Sequence, residues 1–93
     1  MCDFIDAFRS KFPDLPIAFD TDVNAAAIGE GSQGAAEGLK SYVYITVGTG
    51  IGGGVVVDNK IIKGYLHPEI GHISIRREEN DEFEGACPFH QNC

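Results

Sequence analysis

Basic residues are scarce in this sequence. Its 93 residues include 7 Lys plus Arg against 14 Asp plus Glu, which gives a formal net charge of −7 at pH 7. Proteins that bind a nucleic-acid backbone neutralise its phosphates with Lys and Arg, so we expect no nucleic-acid partner. The acidic excess is instead typical of a surface that keeps a protein in solution.

Long apolar runs are also missing. No stretch reaches the roughly 20 consecutive apolar residues that a membrane-spanning helix needs, so no membrane partner is expected. The opening Met1-Cys2-Asp3 comes without the basic region and apolar core of a secretory signal, which favours a cytoplasmic location. The length fits one small domain or part of a larger one.

Cysteine is limited to three residues, an odd number that cannot close entirely into internal disulfides. Cys87 and Cys93 lie close together, with His90 between them. This C-x-x-H-x-x-C spacing supplies three of the four tetrahedral ligands of a structural zinc ion. Three residues are candidates for the fourth ligand: His72, His67 and Cys2. His72 is nearest to a predicted strand edge, and a loop of the length between it and Cys87 can fold back to close a site.

The stretch from Tyr42 to Val57, YVYITVGTGIGGGVVV, predicts two strands joined by a glycine-rich loop. β-branched and aromatic residues dominate both ends, and five of the seven residues from Gly48 to Gly54 are glycine. Without side chains, the backbone N–H groups of such a loop can approach and bind a phosphate. The alternative is a hairpin in which the glycines serve only backbone packing.

Two familiar nucleotide-binding motifs do not fit this stretch. Three of the glycines match G-x-G-x-x-G, but that dinucleotide motif requires a helix directly after it. Here a second strand run is followed by the two-residue turn Asp58-Asn59 and a third strand run, which predicts a β-hairpin. No Gly-Lys-Ser or Gly-Lys-Thr occurs, so the P-loop is excluded.

Several further elements are predicted from local patterns. Aromatic residues at helical spacing in residues 3–12 predict a helix that packs into a core and ends before Pro13. A buried strand is expected at 17–19, a short helix at 35–39 and a strand at 73–75. The charged residues 76–84 are expected to form an exposed loop. This alternation of helices and strands indicates an α/β protein.

Four polar residues follow the predicted strand at 17–19 and open the next helix: Asp20, Thr21, Asp22 and Asn24. Helix capping explains one or two of them, because their oxygens accept from unpaired N–H groups. The helix is expected to break near residues 31–34, whose sequence is GSQG. Ligands of α/β proteins bind at the carboxyl ends of strands, and a carboxylate there can accept a proton from a substrate hydroxyl.

Four segments together resemble the ROK sugar kinases (repressors, open reading frames and kinases), which have the actin-like ATPase, ribonuclease H-like fold. They are TDVNAA at 21–26, VGTGIGGG at 47–54, EIGH at 69–72 and the Cys/His cluster at 87–93. The resemblance covers about residues 13–93, and EIGH with the cluster is its most specific part. It implies that residues 1–20 end an N-terminal lobe and that residues 20–93 hold the sugar site, phosphate loop and zinc loop.

The resemblance also implies a role for each motif. Asp22 is implied to be the general base that takes the proton from the sugar hydroxyl attacking the γ-phosphate of ATP. The implied sugar ligands are Asn24, Glu69 and His72. The implied contacts to the ATP phosphates, which Mg²⁺ accompanies, are Gly48, Thr49 and Gly50. The implied ligands of a structural Zn²⁺ are His72, Cys87, His90 and Cys93.

The chain departs from the commoner family pattern in three ways, one of which is that the segment from His72 to Cys87 is longer than usual. His90 stands where most members have a third cysteine of the cluster, and this variant resembles the fructokinase-like members, which favours fructose as the hexose. The family's first phosphate loop, a further sugar-binding glutamate and the adenine pocket have no counterpart in the sequence. We therefore expect a partial kinase, inactive on its own and homodimeric at full length. The alternatives are a sugar-sensing ROK repressor, whose helix-turn-helix is not seen here, and a zinc-stabilised binding module without catalysis.

Overall fold

The computed structural model of the chain describes residues 3–90 and 93. Two helices precede a three-stranded antiparallel sheet with the order β1-β2-β3, and a 3₁₀ turn follows the sheet. The elements are α1 (Phe4–Lys11), α2 (Asp22–Gln33), β1 (Tyr42–Val47), β2 (Ile51–Val57), β3 (Lys60–Ile61) and the 3₁₀ turn (Ile70–His72). Neither helix in this described part has the length and apolar character that crossing a membrane requires.

The hairpin of β1 and β2 is the centre of the fold, as predicted from the sequence. Its register runs from Tyr42 opposite Val56 to Val47 opposite Ile51. The turn is closed by a hydrogen bond in which the N–H of Gly48 donates to the carbonyl of Gly50 at 2.9 Å. The glycine loop is therefore shorter than predicted, because pairing with β1 draws the last three glycines into β2.

The turn between β2 and β3 is confirmed as a two-residue hairpin. Val57 pairs with Lys60, and the two residues between them, Asp58 and Asn59, have φ angles of 49° and 62°. Asn and Asp tolerate this left-handed conformation better than other side chains. Type I′ turns, which need this conformation at both central residues, match the twist of the flanking strands. The two residues Asp58 and Asn59 were therefore sufficient to predict the hairpin.

Helix α2 packs across the same face of β1 and β2. Ala27 is fully buried there and Val56 is 4 % exposed. The Tyr42 hydroxyl donates a hydrogen bond to the Ala27 carbonyl at 3.0 Å. The helix ends at Gln33 with Gly34 as its C-cap, within residues 31–34, where its break was predicted. A Cβ at Gly31 would collide with the Tyr42 ring, so this glycine makes room for packing and does not end the helix.

Three predicted elements do not form. Residues 17–19 and 73–75 are not strands, and Phe19 and Ile75 are 68 % and 60 % exposed. A strand exists only when a neighbour pairs with it, and the sheet of the described residues consists of β1 to β3 alone. The helix predicted at 35–39 is replaced by turns over residues 35–38. The exposed loop predicted at 76–84 is confirmed, with residue 77 half-buried.

Helix α1 forms as predicted, but its predicted core packing is wrong. Asp3 caps it by accepting hydrogen bonds from the N–H groups of Ile5 and Asp6. Its three phenylalanines stack along one side with ring centroids 4.8 and 6.0 Å apart. No residue of α1 is buried, so this apolar side is not covered by other described residues.

Candidate active site and metal centre

One cavity lies where the start of α2, the first half of β2 and residues 67–71 meet. Its volume is about 190 Å³. The polar side chains that line it are Thr21, Asp22, Asn24, His67 and Glu69, and the apolar part of the wall includes Ile51 and Ile70. Residues from three separate parts of the sequence therefore share one opening.

Asp22 is held at this opening by the way α2 begins. Thr21 is the N-cap, and its Oγ1 accepts a hydrogen bond from the N–H of Asn24 at 3.2 Å. Asp22 is the first helical residue, and its carboxylate accepts from the N–H of Val23 at 2.9 Å. The side chain is exposed, and the N-terminal end of a helix favours a negative charge. The geometry thus presents a carboxylate that can reach a ligand and accept a proton.

Asn24 is almost fully buried, at 2 % exposure, and is fixed by Asp20. Its Nδ2 donates to Asp20 Oδ1 at 2.6 Å. Asp20 also accepts from the N–H of Thr21 at 2.8 Å and from Lys63 Nζ at 3.1 Å. These contacts lower the pKa of Asp20 from 3.8 to about 2, and the hydrogen bond with Asn24 has the largest effect. No site role was assigned to Asp20 from the sequence, although its four-residue spacing from Asn24 at a helix start could have indicated the pair.

Glu69 enters the cavity from a strained backbone position. Its φ and ψ are 48° and 49°, a left-handed conformation that is uncommon outside glycine. The 3₁₀ turn that follows lies close against β2. A Cβ at Gly71 would collide with the Ile51 carbonyl, and a Cβ at Gly53 would collide with the Ile70 side chain. This close contact holds Glu69 opposite α2.

The glycines of the hairpin fall into two groups. A Cβ at Gly48 or Gly50 would meet nothing within 4 Å. A Cβ at Gly52 would lie 3.0 Å from Val23 Cγ1, and one at Gly54 would lie 2.8 Å from the Ala27 Cβ. The tip is therefore open to a ligand, while the glycines inside β2 allow α2 and the 3₁₀ turn to pack. The packing interpretation applies to the glycines inside β2, and phosphate binding at the tip stays a prediction.

The structure also brings together the four residues of the predicted metal site: His72, Cys87, His90 and Cys93. Their ligand atoms all lie within 4.8 Å of one another. Each cysteine sulfur lies 3.5 or 3.6 Å from the Nδ1 atoms of both histidines. His72, one of three candidates for the fourth ligand, is the one in this group. His67 lines the cavity instead, and Cys2 lies outside the described residues.

These distances fit a tetrahedral zinc ion. Zinc binds sulfur at about 2.3 Å and nitrogen at about 2.0–2.1 Å, so tetrahedral angles place S and N roughly 3.5 Å apart. A hydrogen bond from Cys93 lowers the pKa of Cys87 to about 6. The same bond raises the pKa of Cys93. Two sulfurs and two imidazoles leave no open position for water, as in structural zinc sites.

The predicted site residues thus fall into three neighbouring places. Asp22, Asn24 and Glu69 line the cavity. His72 ends the 3₁₀ turn that begins just after Glu69, and its Nδ1 belongs to the metal cluster. Residues 48–50 form the hairpin tip and do not line the cavity, although Ile51 directly after them does.

Comparisons with known proteins identify the family of the chain. The model of the ROK family matches residues 2–93. A putative fructokinase of Bacillus subtilis is 53 % identical over 79 residues, which are 85 % of this chain and 26 % of that protein. A fructokinase of Zymomonas mobilis is 49 % identical over 92 residues, 98 % of this chain and 30 % of that protein.

Solved structures show the same relationship. A ROK hexokinase from Thermus thermophilus matches with a TM-score of 0.69 and 37 % identity, over 76 % of this chain and 25 % of that one. A ROK family glucokinase from Streptomyces griseus, solved with glucose and AMPPNP, matches with a TM-score of 0.63 and 38 % identity. The match covers 76 % of this chain and 23 % of that one. Both structures confirm the predicted α/β fold as part of an actin-like ATPase fold. The chain spans about a quarter to a third of the length of these relatives. By its sequence and its fold, this chain belongs to the ROK family.

Proposed function

We propose that the chain supplies the sugar-binding and proton-accepting part of an ATP-dependent hexose kinase, with fructose as the favoured hexose. The observation that carries this proposal is the shared cavity: Asp22 from α2 and Glu69 from the segment after the sheet line it together with Asn24. The names of the relatives, two fructokinases, a hexokinase and a glucokinase, support the choice of a hexose.

In the proposed reaction, Asp22 accepts the proton of the sugar hydroxyl that attacks the γ-phosphate. A positioned carboxylate suffices because phosphoryl transfer depends on alignment and on charge stabilisation. Glu69 and Asn24 bind further hydroxyls and so fix the reacting one beside Asp22. His72 is proposed to touch the sugar from the edge of this wall. Orientation of the sugar is thus the main contribution of these residues.

The nucleotide is proposed to meet the hairpin tip. A Cβ at Gly48 or Gly50 would have open space around it, so a phosphate can approach the backbone there, and Thr49 adds a hydroxyl. Mg²⁺ bound with ATP would neutralise charge on the phosphates. The first phosphate loop and adenine pocket that the family resemblance requires are not among the motifs of this chain, so we expect no useful kinase activity from the chain alone.

The metal cluster is proposed to hold a structural Zn²⁺. His72 joins the cluster to the 3₁₀ turn, and Glu69 immediately precedes that turn. Binding of zinc would therefore fix the wall of the cavity that faces α2. The zinc would carry no reacting group, since all four of its positions are filled by side chains. Homodimer formation and a cytoplasmic location stay predictions from the sequence.

Replacement of the matched part of a longer relative tests the proposal. The 92 matched residues of the Zymomonas mobilis fructokinase would be exchanged for those of this chain. We expect the chimera to phosphorylate fructose with ATP, and Asp22→Asn to lower kcat by about 10²–10⁴-fold, the usual contribution of a general base. Coupled detection of ADP formation measures the rate with fructose and with glucose.

The matched control is Asp14→Asn, which removes an exposed carboxylate from the turn before α2. It should leave the rate of the chimera unchanged. A folded chimera that phosphorylates neither hexose, or an Asp22→Asn variant as active as Asp14→Asn, would contradict the proposal. Loss of activity with unchanged fructose binding in Asp22→Asn would separate proton transfer from sugar binding.

A further inference from the structure

The carboxylate of Asp20 connects two parts of the cavity wall. One oxygen accepts from Asn24 Nδ2 at 2.6 Å and from the N–H of Thr21 at 2.8 Å. The other accepts from Lys63 Nζ at 3.1 Å. Lys63 follows β3, in the segment that leads on to His67 and Glu69. Asp20 therefore links the start of α2 to the chain that forms the opposite wall.

This contact fixes which way the Asn24 amide is turned. A carboxylate without a proton can only accept hydrogen bonds, and only the NH₂ group of a primary amide donates them. The short bond between the two side chains therefore assigns the nitrogen of Asn24 to Asp20. The carbonyl oxygen, which lies on the other branch of the planar amide, must point elsewhere.

The carbonyl oxygen of Asn24 is the atom that remains for the cavity. No hydrogen bond to it occurs within residues 3–90 and 93. Every fully buried side-chain nitrogen or oxygen in that part of the chain nevertheless has a partner. The oxygen is therefore not fully buried, and the opening that Asn24 lines is the cavity shared with Asp22 and Glu69.

We propose that Asp20 is a positioning residue that orients Asn24 so that its carbonyl oxygen, and not its NH₂ group, faces the ligand. This inference rests on the proposed sugar-binding function of the cavity. Asp22, Glu69 and Asn24 then all present acceptors to the ligand. The cavity selects ligands by hydroxyl hydrogens that the ligand donates, and a hydroxyl replaced by fluorine, which cannot donate, is rejected at Asn24.

The orientation of the amide can be measured without a ligand. Hydrogen exchange of the Asn24 side-chain NH₂ group is followed by ¹⁵N NMR on the zinc-loaded chain, with the signal assigned by its loss in Asn24→Asp. The hydrogen bond to a charged acceptor should slow this exchange by about tenfold or more relative to the exposed amide of Asn80. Asp20→Ala should remove the protection, and Asp20→Asn, which keeps the acceptor oxygen, should retain part of it.

The sugar arm tests what the orientation does. Binding of fructose and of monofluorinated fructose analogues is measured by NMR titration of the same chain. In the unchanged chain, one analogue should bind at least about tenfold more weakly than fructose, as expected for a lost hydrogen bond to a buried group. In Asp20→Ala the freed Asn24 amide can turn and offer its NH₂ group. The ratio of the dissociation constants of the analogue and of fructose should therefore shrink towards one. A purely structural role of Asp20 would weaken fructose and analogue binding equally and leave the ratio unchanged.

The outcomes separate this proposal from the proposed function. Absence of fructose binding with a protected, Asp20-dependent amide would count against the sugar site while supporting the orientation. Fast exchange of the Asn24 amide, or protection that persists in Asp20→Ala, would overturn the positioning role whether or not sugar binds. Should Asp20→Ala fail to fold, Asp20→Asn and Lys63→Met decide the exchange arm, and the control Asp14→Asn should change neither measurement.

Discussion

Gly54 is the position where the packing of α2 on β2 can be tested most directly. An added Cβ would lie 2.8 Å from the Ala27 Cβ and 3.0 Å from the carbonyl carbon of Val23, and it would collide with the Val23 oxygen. Two of these atoms belong to the helix backbone, which cannot turn aside as a side chain can. Gly54→Ala therefore requires α2 to move away from the sheet by roughly 0.5–1 Å.

The expected loss of stability follows from this displacement. Overpacking of a close contact costs about 1–3 kcal/mol. For a chain of this size, each kcal/mol lowers the melting temperature by about 4–8 °C, so Gly54→Ala should lower the melting temperature by roughly 4–24 °C. Thermal unfolding of the zinc-loaded chain, followed by far-UV circular dichroism, measures the change.

Gly48→Ala is the matched control for this substitution. Its Cβ would meet nothing within 4 Å, and its φ is not in the left-handed region. Alanine there should reduce the entropy of the unfolded chain and raise the free energy of unfolding by about 0.4–1 kcal/mol. The two substitutions are thus expected to have opposite signs. Equal melting temperatures for Gly54→Ala and the unchanged chain, or an equal decrease in both variants, would refute this account of the hairpin glycines.

Two further predictions concern the metal centre and Asp20. Cys87→Ser should lower bound zinc from one equivalent to near zero and reduce stability as chelation does, because metal-binding energy is folding energy, whereas Cys2→Ser should retain the metal. Elemental analysis and melting with and without chelator check this, and full zinc content in Cys87→Ser would contradict the four-residue site. The pKa of Asp20 in the folded chain, about 2, lies below its ordinary value of 3.8. The Asp20 carboxylate therefore contributes fully to the free energy of unfolding above about pH 4, and this contribution disappears as the pH falls towards 2. Urea unfolding over this pH range should show that the free energy of unfolding falls more steeply with decreasing pH for the unchanged chain than for Asp20→Asn. Parallel pH dependences in the two chains would argue against the contacts of Asp20 with Asn24 and Lys63.

The sequence predicted those elements whose causes are local. The β-branched run of β1, the Asp58-Asn59 turn and the cap of α2 each depend on a few neighbouring residues. Residues 17–19 and 73–75 have strand composition as well, but a strand depends on a partner, and composition does not reveal whether one is present. Pairing between strands joined by a short turn was predicted, as for β1, β2 and β3, whereas the two strands that would need a distant partner did not form.

The site shows the same division. The spacing of Cys87, His90 and Cys93 indicated three members of the cluster that the structure brings together, because the chemistry of zinc limits both the types and the number of its ligands. The contacts of Asp20 were not predicted, since they involve Lys63, which is distant in sequence, and the buried amide of Asn24. The two groups of hairpin glycines also differ only in what packs against them, which no glycine run in a sequence displays.

The left-handed backbone of Glu69 has a consequence for sequence variation at this wall. Glycine, asparagine and aspartate adopt such angles most readily, whereas valine, isoleucine and threonine are strongly disfavoured. Among these, only aspartate also keeps the negative charge. Position 69 is thus constrained twice, by its main chain and by its chemistry, and variants with altered ligand preference should instead arise at neighbours such as His67, whose backbone carries no such restriction.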